Sequence, residues 1–176
     1  TKSFRDEGHW QKVLDELQPG DYLFIQFGHN DAKDDTARFS SPDDYAINLG
    51  RYATEARAKG AHPVILTPVV RRRFDEQGQF YDTHGDYAPA ARRAAAEYEV
   101  PLIDMQAKSE ALLRELGEEE SESLYLWLKP GEHPNYPEGV SDNTHFCTAG
   151  AIRMAGLAAE GIAEAKLPIR RYLLSR

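Results

Sequence analysis

The chain has 176 residues, 41% of them hydrophobic and 28% charged, with a formal net charge of −8; this is the size and balance of one domain with a real core. The acidity excludes a general nucleic-acid binder, and no apolar run approaches the ~20 residues of a membrane-spanning helix. The single cysteine, Cys147, excludes an internal disulfide and a cysteine-based zinc cluster.

Residues Thr1–Asp6 contain no apolar signal-like stretch, and the chain starts without Met, so its natural start is expected upstream and its compartment stays open. Trp10, Val13, Leu14 and Leu17 recur at helical spacing, which predicts a helix over 6–17 that Pro19 and Gly20 stop. The apolar, aromatic run Tyr22–Phe27 predicts a strand. Ser41, Pro42, Asp43 and Asp44 form a helix start (a capping hydroxyl, a proline at N1, acids in the first turn), and Gly60 marks that helix's end. A second strand is predicted at His62–Thr67, then a polar loop over 69–85, an Ala-rich helix over 87–98, and a third strand at Val100–Met105. A helix is expected to run on to Leu116. Residues 117–145 show little pattern beyond Tyr125–Leu128, and Thr148 opens a last helix over about 149–165. Helices alternating with apolar strands imply an α/β fold, a doubly wound parallel sheet covered on both faces. With no repeat or linker, one domain over 1–176 is expected.

In such sheets ligands bind beyond the carboxyl ends of the strands. Gly28-His29-Asn30-Asp31 follows the first strand directly. Gly28 permits a tight turn, and the Asn30 amide can donate to a developing oxyanion; equally, these are common strand-ending turn residues. Near the other end stands Asp142-Asn143-Thr144-His145. A carboxylate three residues before a histidine in a turn can fix the imidazole tautomer and leave the second nitrogen as a general base. The alternative is a helix-entry cap by Asp142 or Thr144.

Together, G-x-N-D after a parallel strand and D-x-x-H near the C-terminus resemble two motif blocks of the SGNH (GDSL) hydrolases. Ser3-Phe4, Glu7-Gly8, Trp10, Gly20-Asp21-Tyr22, Pro68 to Phe74, His84-Gly85, Val100 to Asp104 and Phe146 extend the resemblance to the rhamnogalacturonan acetylesterase branch along nearly the whole chain. The resemblance implies a flavodoxin-like fold and a serine esterase that removes acetyl groups from pectin-like polysaccharide without cofactor or metal. It implies His145 as base, Asp142 as its orienting acid, Asn30 as oxyanion donor and Gly28 as the turn residue. The family carries its nucleophile in a Gly-Asp-Ser-like block after its first strand. None of the eight serines here (Ser3, Ser40, Ser41, Ser109, Ser121, Ser123, Ser141, Ser175) has that context. No nucleophile is therefore assigned, two N-terminal strands are expected to be missing, and the chain alone is expected to be inactive. The strand Tyr22–Phe27 would then be an open edge, inviting self-association or pairing with an upstream fragment.

Further candidates have bland readings beside them. Arg72, within Arg71-Arg72-Arg73, suits an acidic polymer or a solvated loop. His29 and His84 suit substrate contact or support of the site. Tyr81 near His84 suits the same, and Tyr125, Trp127 and Tyr136 suit sugar stacking or core packing. Asp31, Asp34 and Asp35 match no metal loop, and Cys147 reads as a small buried residue. The alternatives in function are an SGNH esterase on another ester (xylan, a small molecule, a lipid) or a non-catalytic carbohydrate-binding domain.

Overall fold

The computed structural model describes residues 1–34 and 36–173, so Asp35 and Ser175 lie outside the described residues. The chain divides into two compact units: Thr1–Pro68, His84–Met105 and Gly161–Arg176 form the first, Val69–Thr83 and Gln106–Glu160 the second.

The first unit is α/β. Its strands β1 (Tyr22–Gln26), β2 (His62–Leu66) and β3 (Leu102–Ile103) lie parallel in that order, Tyr22 opposite His62 and Ile65 opposite Leu102. The helix expected over 6–17 is instead two, α1 (Lys2–Asp6) and α2 (His9–Glu16). They part at Gly8, whose φ of +74° no other residue adopts cheaply. α3 (Pro42–Ala58) starts as expected: the Ser41 hydroxyl accepts from the Asp44 amide at 3.1 Å, with Pro42 at N1. α4 (Tyr87–Glu97) presents Ala90, Ala91 and Ala94 to Leu49, Tyr52, Ala53 and Ala56 of α3, and methyl-sized side chains let the two helices close on Ile25 and Ile65. Each large apolar residue so buried contributes roughly 1.5–3 kcal/mol.

β3 is shorter than expected, two residues rather than six. The chain around it nonetheless runs alongside β2, the Ile65 amide bonding the Pro101 carbonyl at 2.9 Å and the Thr67 amide the Ile103 carbonyl at 3.2 Å. Leu102 packs toward the α3/α4 core, so Ile103 faces the other way. There it meets Gly161, late in α6 (Thr148–Glu164), where an added Cβ would collide with the Ile103 side chain. The three strands thus carry helix on both faces. β1 has β2 as its only strand partner among the described residues. Its free side borders an apolar hollow of about 240 Å³ lined by Phe4, Trp10, Val13, Phe24, Phe27 and Tyr52.

The second unit holds α5 (Met105–Ser121, broken at Gly117) and a hairpin that the sequence pattern does not announce, β4 (Tyr125–Leu128) against β5 (Val140–Phe146). β5 reads Val-Ser-Asp-Asn-Thr-His-Phe, with no apolar alternation, so pairing with β4 rather than propensity makes it a strand. Val70, Phe80, Leu113 and Tyr125 form this unit's own apolar cluster, with Phe74, Leu124 and Phe146 packed against it. The expected polar loop over 69–85 therefore supplies two of its buried residues.

Candidate active site

β1 ends at Gln26, and the chain turns at once. Gly28 sits at φ +128°, and a Cβ on it would lie 3.0 Å from Pro68 Cγ and 3.6 Å from the Tyr45 hydroxyl. Only glycine meets both demands. Asp31, 1% exposed, folds its carboxylate back under the turn. Oδ2 accepts from the Gly28 amide at 3.2 Å; Oδ1 accepts from the backbone nitrogen of Thr1 at 2.7 Å and the Thr1 hydroxyl at 2.5 Å. The Tyr45 hydroxyl donates to the Phe27 carbonyl at 3.1 Å, and the Tyr87 hydroxyl reaches the Asp31 carbonyl at 2.9 Å. Burial, with the Asp31 charge nearby, pushes the Tyr45 phenol far above its usual range and raises that of Tyr87, so they remain donors.

The side chain of Asn30 stands exposed on this fixed turn, and no hydrogen bond to a described residue occupies its amide. It lines a hollow of about 240 Å³ with Ser3, Glu7, His9, Gln26 and His29. His29 and His84 come together, ring nitrogen to ring nitrogen at 3.1 Å. His84 is 2% exposed, so it is placed to hold His29 rather than to meet a ligand in solution. The Asp31 carboxylate is spent on Thr1 and Gly28.

Asp142 and His145 form the pair that their spacing suggests. Asp142 Oδ2 lies 2.6 Å from His145 Nδ1, while Oδ1 accepts from the amides of Thr144 at 2.6 Å and His145 at 2.9 Å. The turn expected here is embedded in a strand. Leu126 of β4 pairs with Asp142, yet its neighbour Tyr125 pairs with Phe146, so residues 143–145 bulge from the ladder. Burial alone would raise the Asp142 carboxyl. The hydrogen bonds from the His145 amide and ring and the Thr144 amide outweigh it, and the pKa falls below the ordinary 3.8. An ionised Asp142 accepting from Nδ1–H leaves Nε2 as the basic nitrogen, and the His145 side chain is 76% exposed.

The three arginines occupy three environments. Arg71 is half-buried and donates to the Thr83 hydroxyl at 3.0 Å; Arg73 is exposed; Arg72 is 6% exposed. The Arg72 guanidinium bonds Ser121, Asn143 and the Glu118 carbonyl. Burial thus removes Arg72 from contact with a polymer, the role considered for it from its charge. Asn143 and Trp127, its neighbours here, carried no signal that motif spacing could detect. Of the candidate stacking aromatics, Tyr125 is buried with its hydroxyl on the Val70 carbonyl at 3.0 Å, whereas Trp127 and Tyr136 are each 37% exposed and Tyr81 47%. Cys147 is half-buried, its thiol on the Ser123 carbonyl at 3.1 Å.

Residues 1–139 match the GDSL-like lipase/acylhydrolase family. The rhamnogalacturonan acetylesterase RhgT of Bacillus subtilis is 48% identical over 176 residues, covering 100% of this chain and 75% of that protein. The probable rhamnogalacturonan acetylesterase YesY of the same organism is 40% identical, covering 99% and 76%. In fold, the crystal structure of B. subtilis YxiM superposes with a TM-score of 0.76 at 24% identity over 95% of this chain and 43% of that one. The acetylxylan esterase Axe2 of Geobacillus stearothermophilus superposes with a TM-score of 0.61 at 19% identity, over 90% and 66%.

Proposed function

Since the chain belongs to the GDSL-like lipase/acylhydrolase family of ester hydrolases, we propose that it is the His–Asp and oxyanion portion of a carbohydrate acetylesterase acting on rhamnogalacturonan-like polysaccharide. The observation that carries this reading is the 2.6 Å contact from Asp142 to His145 Nδ1, with Nε2 left to work as a base. In the proposed reaction a serine hydroxyl attacks the acetyl carbonyl as His145 Nε2 takes its proton. The tetrahedral oxyanion accepts from the Asn30 amide, and Asp142 stabilises the imidazolium. His145 then returns the proton to the leaving sugar hydroxyl. Water repeats the sequence on the acyl-enzyme and releases acetate.

The substrate rests on RhgT and YesY, both named for rhamnogalacturonan. The exposed Trp127 and Tyr136 suit the apolar faces of sugars. Residues 1–176 alone are not expected to form an acyl-enzyme, because a His–Asp pair without its nucleophile cannot be acylated. The free side of β1 supports a companion proposal: pairing there with a second copy or an upstream fragment. Light scattering that finds a monodisperse monomer would count against it.

The test measures acetate released from acetylated rhamnogalacturonan and acetylated xylan by the full-length protein, and from 4-nitrophenyl acetate by residues 1–176. The expected result is preference for the pectic polymer and no serine-inhibitor-sensitive turnover by 1–176. Preference for xylan overturns the substrate. Binding of acetylated oligosaccharide without turnover by the full-length protein overturns the enzyme reading.

A further inference from the structure

The bulge that carries Asp142 and His145 is not held by the sheet. β4 pairs with Asp142 and then with Phe146, and residues 143–145 have no partner across the ladder. Asp142 Oδ1 accepts from the Thr144 and His145 amides within the bulge, whereas Asn143, which that carboxylate does not hold, needs a grip of its own. The grip falls on its first residue, Asn143, and comes from Arg72.

The Arg72 amide donates to the Asn143 carbonyl at 2.9 Å, and its Nη1 to Asn143 Oδ1 at 3.0 Å, so the same residue is bound at backbone and side chain. Trp127 Nε1 donates to the same Oδ1 at 3.0 Å, filling the second lone pair of that oxygen. Two further guanidinium donors are anchored away from the bulge: Nε to Ser121 Oγ at 3.1 Å and Nη2 to the Glu118 carbonyl at 2.5 Å, with Glu122 Oε2 3.8 Å off. The guanidinium carbon lies 5.5 Å from the Trp127 ring and 5.9 Å from the Phe74 ring. A cation this buried and this evenly committed is fixed in place, because letting go of any one acceptor strands a buried donor.

We propose that Arg72 is a positioning residue for the esterase reaction: by clamping Asn143 it sets the bulge geometry in which Asp142 meets His145 Nδ1, and so holds His145 in the tautomer that leaves Nε2 unprotonated. The claim extends the proposed function by one residue and rests on it for the word esterase. The geometric part stands on the second unit alone. Lysine cannot replace the arginine, because a single ammonium has no planar fork with which to reach Asn143, Ser121 and Glu118 together.

The experiment reads the tautomer directly, by ¹⁵N-detected NMR of the His145 ring nitrogens at a pH where the ring is neutral, in wild type, R72K and N143A. The wild type should show two well-separated ring-nitrogen signals, with the protonated nitrogen at Nδ1. R72K and N143A should lose this fixed tautomer, the two signals moving toward each other as both forms become populated, while amide dispersion and the remaining histidines keep their wild-type spectra. R72K leaves a buried cation ill-satisfied and risks misfolding. N143A keeps Arg72 on Ser121 and Glu118 and decides the question in that case. Folded variants that retain the wild-type pair of signals would overturn the proposal, as would a wild type already mixed between tautomers. Loss of the tautomer in N143A together with no ester hydrolysis by the full-length protein would sink the esterase reading and leave the clamp standing.

Discussion

The turn Gly28–Asp31 and the bulge Asp142–His145 solve one problem with opposite electrostatics. Each presents one exposed polar side chain, Asn30 or His145, next to a residue that ties the backbone down. In the turn the tie is a buried anion, Asp31, receiving donors from Thr1 and Gly28. In the bulge it is a buried cation, Arg72, donating to Asn143 and to Ser121 and Glu118. A group that must work in water gains little from its own contacts. Its orientation is set by a neighbour taken out of water, where losing a partner is expensive.

The comparison breaks if function and stability fall at the same residues. The largest effect should be on catalysis: H145A, in a form of the protein that carries the serine nucleophile, lowers kcat by about 10⁴-fold or more. Urea denaturation of H145A should meanwhile stay within about 0.5 kcal/mol of wild type, because the side chain is exposed. D31A should do the reverse to stability. It strands the buried Gly28 amide and Thr1 hydroxyl, each worth about 1–3 kcal/mol when left unpaired, and should cost about 3–5 kcal/mol by the same measurement; a loss below 1 kcal/mol would show that the turn holds without its anion. G28A should cost less, about 1–3 kcal/mol, for a side chain forced to positive φ and against Pro68. The smallest effect separates the anions by pH. Asp142 is depressed below 3.8 in the folded protein, so its stabilising contribution is complete above that value and is lost as pH falls through the lower folded-state pKa. The stability gap between wild type and D142N should therefore be constant near neutrality and close progressively below pH 3.8. A gap that persists unchanged to low pH would contradict the hydrogen-bonded carboxylate.

Much of this was legible in residue order. Ser41-Pro42 and Gly60 bracket α3 because caps and breakers act within one turn of chain. Tyr22–Phe27 and His62–Thr67 are apolar enough to declare buried parallel strands. Asp142 and His145 sit three residues apart, close enough for local spacing to predict their contact. The split at Gly8 went unseen because the apolar spacing of Trp10, Val13, Leu14 and Leu17 continues across nothing that marks its start. β5 went unseen because its residues are polar and its only reason to extend is β4.

Residue order alone carries the α/β succession of elements, the turn after β1, the Asp142–His145 contact and the family, all of which rest on local pattern or on motif identity. Only the tertiary structure decided which charges are buried. Arg71, Arg72 and Arg73 are identical in sequence terms, yet Arg72 alone lies inside, 71 residues from the Asn143 it clamps. His84 likewise meets His29 across 55 residues. Burial is a property of the packed chain rather than of a residue's neighbours in sequence, and burial is what set the middle arginine of a basic run against Asn143, beside the Asp142–His145 contact.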